Sequence, residues 1–293
     1  MTLAEQIELA CLMEATARKP GNVHPAAAFN DLSYEDFVRA AHAVANPLSA
    51  TRNHGLGRAI YNSVQATRDT TGTNVNLGII LLFAPLAVVP EDVLLEDGLP
   101  SVLRRTTVED AEHVYAAIGL AQPGGMGNAA TQDVSQRPTV TLYHTMSLAA
   151  DRDRIAEQYV NNFKLVFGAR RKLCELLMHS TDWESAIVRL HIWIMSRWPD
   201  TLIARKCGLE LAEEASSRAR RLIDHADVEG RFDPGQVGEF DAWLRADGHR
   251  RNPGTTADLV AATLFAALRD GLIKAPTQDA VLTFAKSISR GNT

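Results

Sequence analysis

Residues 77–84 read LGIILLFA, a run of apolar or small residues without a charge. Such a run is compatible with a buried strand or with a helix that is buried on every side. The alternation of strands and helices that would accompany a buried parallel strand does not recur elsewhere in the sequence. We therefore predict a helix in the middle of a helical bundle, ended or kinked near Pro85.

Helical periodicity extends from this run towards both ends of the chain. Residues 2–5 have the form of a capping box, and the helix that they start is expected to stop at Pro20 and Gly21. Further helices are expected from about Ser33 and over residues 108–122, 151–178, 183–198, 208–227, 237–245 and about 256–269, the last followed by Gly271 as a C-cap. The sequence thus predicts an all-α fold, a single globular multi-helix bundle over residues 1–293 with a buried central helix.

The longest stretch without a helical pattern covers residues 122–140. Long connections of this kind either act as lids over a binding site or simply join two elements. The sequence favours neither interpretation over the other.

Composition and charge exclude several classes of protein. A formal net charge of -5 gives no basic field for a nucleic-acid backbone. Cys11, Cys174 and Cys207 lie far apart, which argues against a disulfide framework and a zinc cluster. The longest apolar run, residues 77–89, is shorter than the roughly 20 residues of a membrane helix, and the N-terminus lacks the pattern of a secretory signal. We expect a cytoplasmic protein without nucleic-acid or membrane partners, and the sequence leaves a homo-oligomer open.

Four polar segments join a glycine or proline turn to an end of an apolar helix. The first, residues 19–25, reads KPGNVHP and is followed by Asp31. Lys19 and His24 could meet anionic oxygens, and Asp31 could bind Mg²⁺, which prefers oxygen ligands. Alternatively, Pro-Gly is only a helix stop and Asp31 only a helix cap.

The second segment, residues 71–78, reads TGTNVNLG and precedes the central helix. The free N–H groups at a helix N-terminus bind anions readily. Asn74 and Asn76 together exceed what capping of one helix requires, which favours a binding function.

The third segment, residues 200–206, reads DTLIARK. Asp200 suits a metal ion, and Arg205 and Lys206 suit phosphate groups. The alternative is a capping aspartate followed by two solvated bases.

The fourth segment, residues 252–258, reads NPGTTAD. Thr255 and Asp258 have the spacing of a capping box, in which Asp replaces the usual Glu. A carboxylate in the first turn of a helix beside a glycine could also serve a site, and the pattern alone does not decide.

In their order along the chain, these segments resemble the motifs of the triphosphoribosyl-dephospho-CoA synthase family, in the form of its archaeal and one-carbon-metabolism branch. The matching stretches are residues 19–23 with Asp31, residues 72–78, 200–205 and 252–258, which span nearly the whole chain. The resemblance implies an all-α pentosyl transferase. It would move the triphosphoribosyl group of ATP to the 2′-hydroxyl of 3′-dephospho-CoA and release adenine, giving the precursor of an acyl carrier protein's prosthetic group.

The resemblance also implies which residues form the site. Asp31, Asp200 and Asp258 would be the catalytic residues and the ligands of Mg²⁺. One carboxylate would accept the proton of the attacking hydroxyl, and a carboxylate near C1 would stabilise the positive charge that develops there. Contacts to ATP as co-substrate are implied for Lys19, Asn22, His24, Asn74, Asn76, Arg205, Lys206, Thr255 and Thr256.

The chain departs from the family pattern at two places. Many members have a His and a basic residue before the glycine of the second motif, where this chain has Asn76 and Leu77. Many also have a His shortly before the first aspartate, where this chain has Phe29. These changes leave open a ribosyl transfer in pterin or one-carbon cofactor synthesis (tetrahydromethanopterin-type) as an alternative. A non-enzymatic helical partner protein is the third interpretation.

Overall fold

The computed structural model describes residues 1–123, 133–178 and 182–291. In these ranges the chain forms sixteen α-helices and no β-strand, which confirms the all-α prediction. In chain order they are α1 Leu3–Thr16, α2 Tyr34–Ser49, α3 Thr51–His54, α4 Leu56–Thr71, α5 Leu77–Val88, α6 Leu95–Arg104, α7 Val108–Ala121, α8 Leu142–Ser147, α9 Arg154–Val160, α10 Lys164–Met178, α11 Trp183–Met195, α12 Thr201–Cys207, α13 Leu209–Asp224, α14 Pro234–Arg245, α15 Gly254–Arg269 and α16 Gln278–Arg290.

The predicted central helix is α5, whose residues from Ile79 to Ala87 are all buried. It packs against α15, where the rings of Phe83 and Phe265 stack with centroids 4.6 Å apart. Pro85 does not end the helix, which continues to Val88. Because proline has no N–H group, it cannot donate to the Leu81 carbonyl one turn earlier. The Tyr159 hydroxyl donates to that carbonyl instead, at 2.6 Å, so the buried oxygen keeps a partner.

The predicted helix over residues 151–178 is wrong as a single element. The structure has α9 and α10 there, separated by Asn162 and Phe163 in the left-handed region. Phe163 is fully buried. The Gln158 side-chain oxygen accepts from the N–H groups of Leu165 and Val166, at 3.2 and 3.4 Å. Two backbone N–H groups in the first turn of α10 thus have a hydrogen-bond partner. Tertiary packing of one aromatic ring thus overrides a continuous helical pattern.

Two apolar clusters fill the described part of the chain. The larger lies mainly between α1, α2, α4, α5, α7, α10 and α15, and the smaller lies on α11 to α14. Helix α11 contributes Leu190 to the first and Ile192 to the second, so it joins them. The single domain stays a prediction. In the described residues, no helix has the length and apolarity to cross a bilayer.

Of the proposed connection at residues 122–140, the stretch 124–132 lies outside the described residues. The other predicted ends differ from the observed ones by a few residues, as is common where helices fray. Gly271 follows the C-cap residue of α15, Asp270, and adopts the left-handed conformation, with φ of 64°, that commonly ends a helix at this position.

Candidate functional site

The four polar segments meet at one cavity of about 420 Å³. The N-terminal turns of α5 and α15, the start of α9 and the helix α12 all reach it. The predicted site residues that line it are Asn22, Asp31, Asn74, Asn76, Arg205, Lys206, Thr255 and Asp258. Apolar side chains such as Phe37, Val75 and Ile118 line it as well. Apolar walls with a few convergent polar groups are typical of a small-molecule site.

Asp258 contacts the first turn of α5 at the cavity. A Cβ atom placed on Gly78 would lie 2.0 Å from Asp258 Oδ2, so only glycine allows this approach. Burial raises the pKa of Asp258 well above its usual value, and the charges of Glu14, Asp200 and Asp153 raise it further, against the opposing charge of Arg205. A carboxyl group with a raised pKa is suited to accept a proton near neutral pH.

Asp200 lies behind the cavity wall and joins two helices. Its Oδ1 accepts from the N–H groups of Leu202 and Ile203, at 2.9 and 3.0 Å, and so caps α12. Its Oδ2 accepts from the N–H and hydroxyl groups of Thr256, at 2.7 and 2.8 Å, and so holds the start of α15. Burial nevertheless raises the pKa of this carboxyl. Asp200 and Thr256 therefore position the site rather than line it.

Two residues that were predicted to contact the ligand, Lys19 and His24, do not line this cavity. Lys19 is fully buried and pairs with Glu14, with 3.0 Å between Nζ and Oε1, so it does not line the cavity. His24 lies at a second, open cavity with Arg18 and Asp241. Burial lowers the pKa of His24 to about 4, and the charges of Arg245 and Lys19 act in the same direction. A neutral imidazole gives no charge to an anionic ligand, so this expectation is not supported.

Two buried amides at the cavity each keep one polar atom without a partner. Asn22 donates to Asn252 Oδ1 at 2.6 Å, while its own Oδ1 accepts no hydrogen bond from the described residues. Asn76 Oδ1 accepts from the Thr67 hydroxyl at 3.1 Å, while its Nδ2 donates to no group within the described ranges. Because buried polar groups are nearly always paired, these atoms indicate a polar ligand or water in the cavity.

The basic groups of the cavity lie on the last turn of α12. Arg205 Nη1 is 3.6 Å from Asp153 Oδ2. Burial lowers the pKa of Lys206, and the neighbouring Arg205 charge lowers it further. At the mouth, Asp31 pairs with His249, with 3.0 Å between Oδ1 and Nδ1. An anionic ligand at this place would contact the Arg205 guanidinium, and its negative charge would favour the charged form of Lys206.

Several lining residues were absent from the sequence prediction: Glu14, Asp153, His249 and Asn252. Asn252 belongs to the fourth segment and could have been chosen for that reason. Asp153 looks like an ordinary cap, and it does cap α9 by accepting from Ile155 at 2.8 Å. Glu14 and His249 carry no local pattern, because only the fold brings them to the cavity.

The described part of the chain holds no group of three or more His, Cys, Asp or Glu side chains arranged as a metal site. Magnesium ions commonly take one or two carboxylates and complete their shell with phosphate oxygens and water. Asp31 and Asp258 at the cavity offer carboxylate oxygens of that kind.

A family of known proteins matches the part of the chain that contains these segments. Residues 1–277 match the family model described as ATP:dephospho-CoA triphosphoribosyl transferase (CitG), a range that contains all four segments. A crystal structure named as a triphosphoribosyl-dephospho-CoA synthase from Archaeoglobus fulgidus is similar, with 25% sequence identity and a TM-score of 0.63. The similarity covers 80% of this chain and 99% of that chain. No curated protein matches the chain.

Proposed function

Since the chain belongs to the ATP:dephospho-CoA triphosphoribosyl transferase family, we propose that it moves the triphosphoribosyl group of ATP to the 2′-hydroxyl of 3′-dephospho-CoA and releases adenine. The observation that supports this most is that Asp258, Arg205 and Lys206 line the same cavity as Asn22 and Asn76, whose amide groups each keep one atom without a partner among the described residues. A proton acceptor, two cations and two amide groups suit a nucleotide whose sugar reacts.

In this proposal Asp258 is the general base. The acceptor hydroxyl forms a bond to C1 of the ATP ribose while the bond from C1 to the adenine nitrogen breaks. The hydroxyl proton passes to the Asp258 carboxylate, and adenine leaves with the bonding electron pair and takes up a proton from water. Asp258 then releases its proton to water, so that no net proton is gained or lost. The raised pKa of Asp258 supports this role, because a stronger base accepts the proton more readily.

The triphosphate is assigned to the side of the cavity that holds Arg205 and Lys206. The N-terminal turn of α5 beside Asn74 adds backbone N–H groups and the positive end of a helix dipole. Asp31 lies near enough for its charge to raise the pKa of Lys206. We assign Mg²⁺ to Asp31 together with the phosphate oxygens, where the ion would neutralise part of the triphosphate charge.

The direct test is adenine release. Protein, ATP, Mg²⁺ and 3′-dephospho-CoA are mixed, and adenine is separated by chromatography over time. We expect adenine to form in proportion to protein and to require the acceptor. A folded preparation that binds ATP and releases no adenine would contradict the proposal.

Arg205→Ala and Lys206→Ala should each raise the KM for ATP about 10- to 100-fold, because each removes a charge-assisted contact to phosphate. The matched control is Arg221→Ala, since Arg221 is exposed on α13 and does not line the cavity. Steady-state rates over a range of ATP concentrations provide the measurement. Unchanged KM values for ATP in both cavity variants would contradict the assignment of the triphosphate to this side of the cavity.

A pterin-type acceptor is the second candidate, because both departures from the family pattern lie at or near the cavity. Asn76 lines it, and Phe29 packs edge-on against the cavity residue His249, with ring centroids 5.9 Å apart. The adenine assay with a pterin in place of dephospho-CoA separates the two acceptors. The non-enzymatic interpretation is not retained, because the family is one of transferases. A cytoplasmic location and a homo-oligomer stay predictions.

A further inference from the structure

Glu14 and Lys19 form a buried ion pair next to the cavity. Their side chains are 4% and 0% exposed, with Nζ and Oε1 3.0 Å apart. The ammonium also donates to the backbone carbonyls of Glu14 and Ala17. An ammonium has three donors, so the pair and the two carbonyls satisfy all of them. Lys19 is thus fully engaged and fixed in one place.

The two members of this pair face different surroundings. Glu14 lines the cavity, whereas Lys19 does not. Asp258 lines the same cavity, and the charge of Glu14 is, after burial, the largest cause of its raised pKa. The negative end of the pair is therefore on the cavity side, in the cavity that Asp258 also lines.

Stability alone does not explain such a pair. Buried ion pairs can often be replaced by apolar residues of similar volume without loss of stability. The buried side chains of α1 are otherwise mainly apolar, among them Ile7, Leu12 and Met13. A buried carboxylate among them that lines the same cavity as Asp258 favours a role in catalysis.

Resting on the proposed function, we propose that Glu14 is a second catalytic carboxylate, whose negative charge faces the ribose C1 as adenine leaves. In the transfer, the bond from C1 to nitrogen lengthens and C1 gains positive charge before the hydroxyl oxygen bonds to it. Glu14 stabilises that charge without bonding or taking a proton, while Asp258 receives the hydroxyl proton. Lys19 is a positioning residue that holds Glu14. Two carboxylates with separate tasks are a recurrent arrangement in glycosyl transfer.

The test compares Glu14→Gln, Lys19→Met and the double variant E14Q/K19M. Each single variant leaves one buried group without its partner and should lower the melting temperature. The double variant removes both charges and should regain most of the lost stability. Its kcat for adenine release should stay about 100-fold below that of the wild type, with a KM for ATP within a few fold. Thermal unfolding and initial rates at saturating substrates are measured on the same preparations.

Two further variants keep the test decisive. Glu14→Asp retains the charge but withdraws it by one methylene, so an intermediate kcat is expected even where the double variant folds poorly. Arg170→Met removes a partner from another buried ion pair, with Asp270, whose members do not line the cavity. It should lower stability while the kcat of the folded protein is unchanged.

The outcomes separate the two proposals. If the wild type is active and E14Q/K19M recovers both stability and kcat, the pair is purely structural. That result would overturn the role proposed for Glu14 and leave the proposed function standing. Equal kcat values for Glu14→Asp and the wild type would count against it in the same way. A wild type that releases no adenine from ATP would overturn the proposed function and this inference together.

Discussion

Asp258→Asn should lower the kcat for adenine release about 1000-fold, because a positioned general base contributes roughly 10²- to 10⁴-fold. The same change should raise the stability of the protein at neutral pH. Burial and the Glu14 charge disfavour the ionised carboxylate in the folded state, and an asparagine carries no such charge. Loss of activity together with a gain in stability would distinguish a residue kept for catalysis from one kept for folding.

The pH dependence of this gain follows from the direction of the pKa shift. The folded protein raises the pKa of Asp258, whereas the unfolded chain leaves it near about 3.9. Below the unfolded value both states bind the proton and the shift has no effect on stability. As pH rises towards the folded pKa, the unfolded state ionises first, and the wild type loses stability that the variant keeps. The difference in melting temperature should therefore grow from about pH 4 upwards.

A matched control is Asp270→Asn. Asp270 is also a buried carboxylate on the C-terminal side of α15, but it pairs with Arg170 and accepts from the Leu95 N–H group at 3.3 Å. This variant should lose stability and keep the activity of the folded protein. The account is contradicted if Asp258→Asn retains the wild-type rate, or if its stability relative to the wild type falls as pH rises.

Gly78→Ala should lower kcat/KM at least about 100-fold, because the new methyl group would occupy the place of the Asp258 carboxylate. The added Cβ would lie 2.0 Å from Asp258 Oδ2 and 2.6 Å from Ile155 Cδ1. Overpacking of this kind costs about 1–3 kcal/mol, which exceeds the gain of up to about 1 kcal/mol from alanine in a helix. Activity and the free energy of unfolding should therefore fall together.

Gly168→Ala on α10 is the control for the helix effect. A Cβ at Gly168 would meet no atom of the described residues within 4 Å, so it adds no clash with them. It should raise stability by up to about 1 kcal/mol and leave activity unchanged. Denaturant unfolding and steady-state rates on both variants provide the measurement. A fully active Gly78→Ala variant would show that Asp258 does not approach α5 as the structure has it.

The sequence predicts those features of the fold that depend on local pattern. The all-apolar run at residues 77–84 identifies α5, because no exposed element tolerates such a run. The break between α9 and α10 has no local signal, since it depends on the burial of Phe163 and on the Gln158 side chain. Local periodicity cannot report a contact that only the folded chain makes.

The candidate site, too, is predicted by the sequence only where a local pattern marks its residues. The four polar segments could be identified because glycine, proline and amide residues cluster at helix ends, and the structure does bring them to one cavity. The sequence predicts Lys19 at the ligand because its charge suits anionic oxygens, but in the fold Lys19 is buried and Glu14 provides the partner that burial requires. Glu14 is one of three glutamates on α1, and nothing local distinguishes it from Glu5 and Glu8, so only the fold shows that it lines the cavity.

A crystal structure of Asp258→Asn with ATP and Mg²⁺ would show where the nucleotide binds, because slow turnover retains the substrate. We expect ATP in the cavity, with ribose C1 beside residue 258 and Glu14 and with the triphosphate at Arg205 and Lys206. ATP bound at another surface, or bound in the cavity with its ribose away from residue 258, would contradict this expectation.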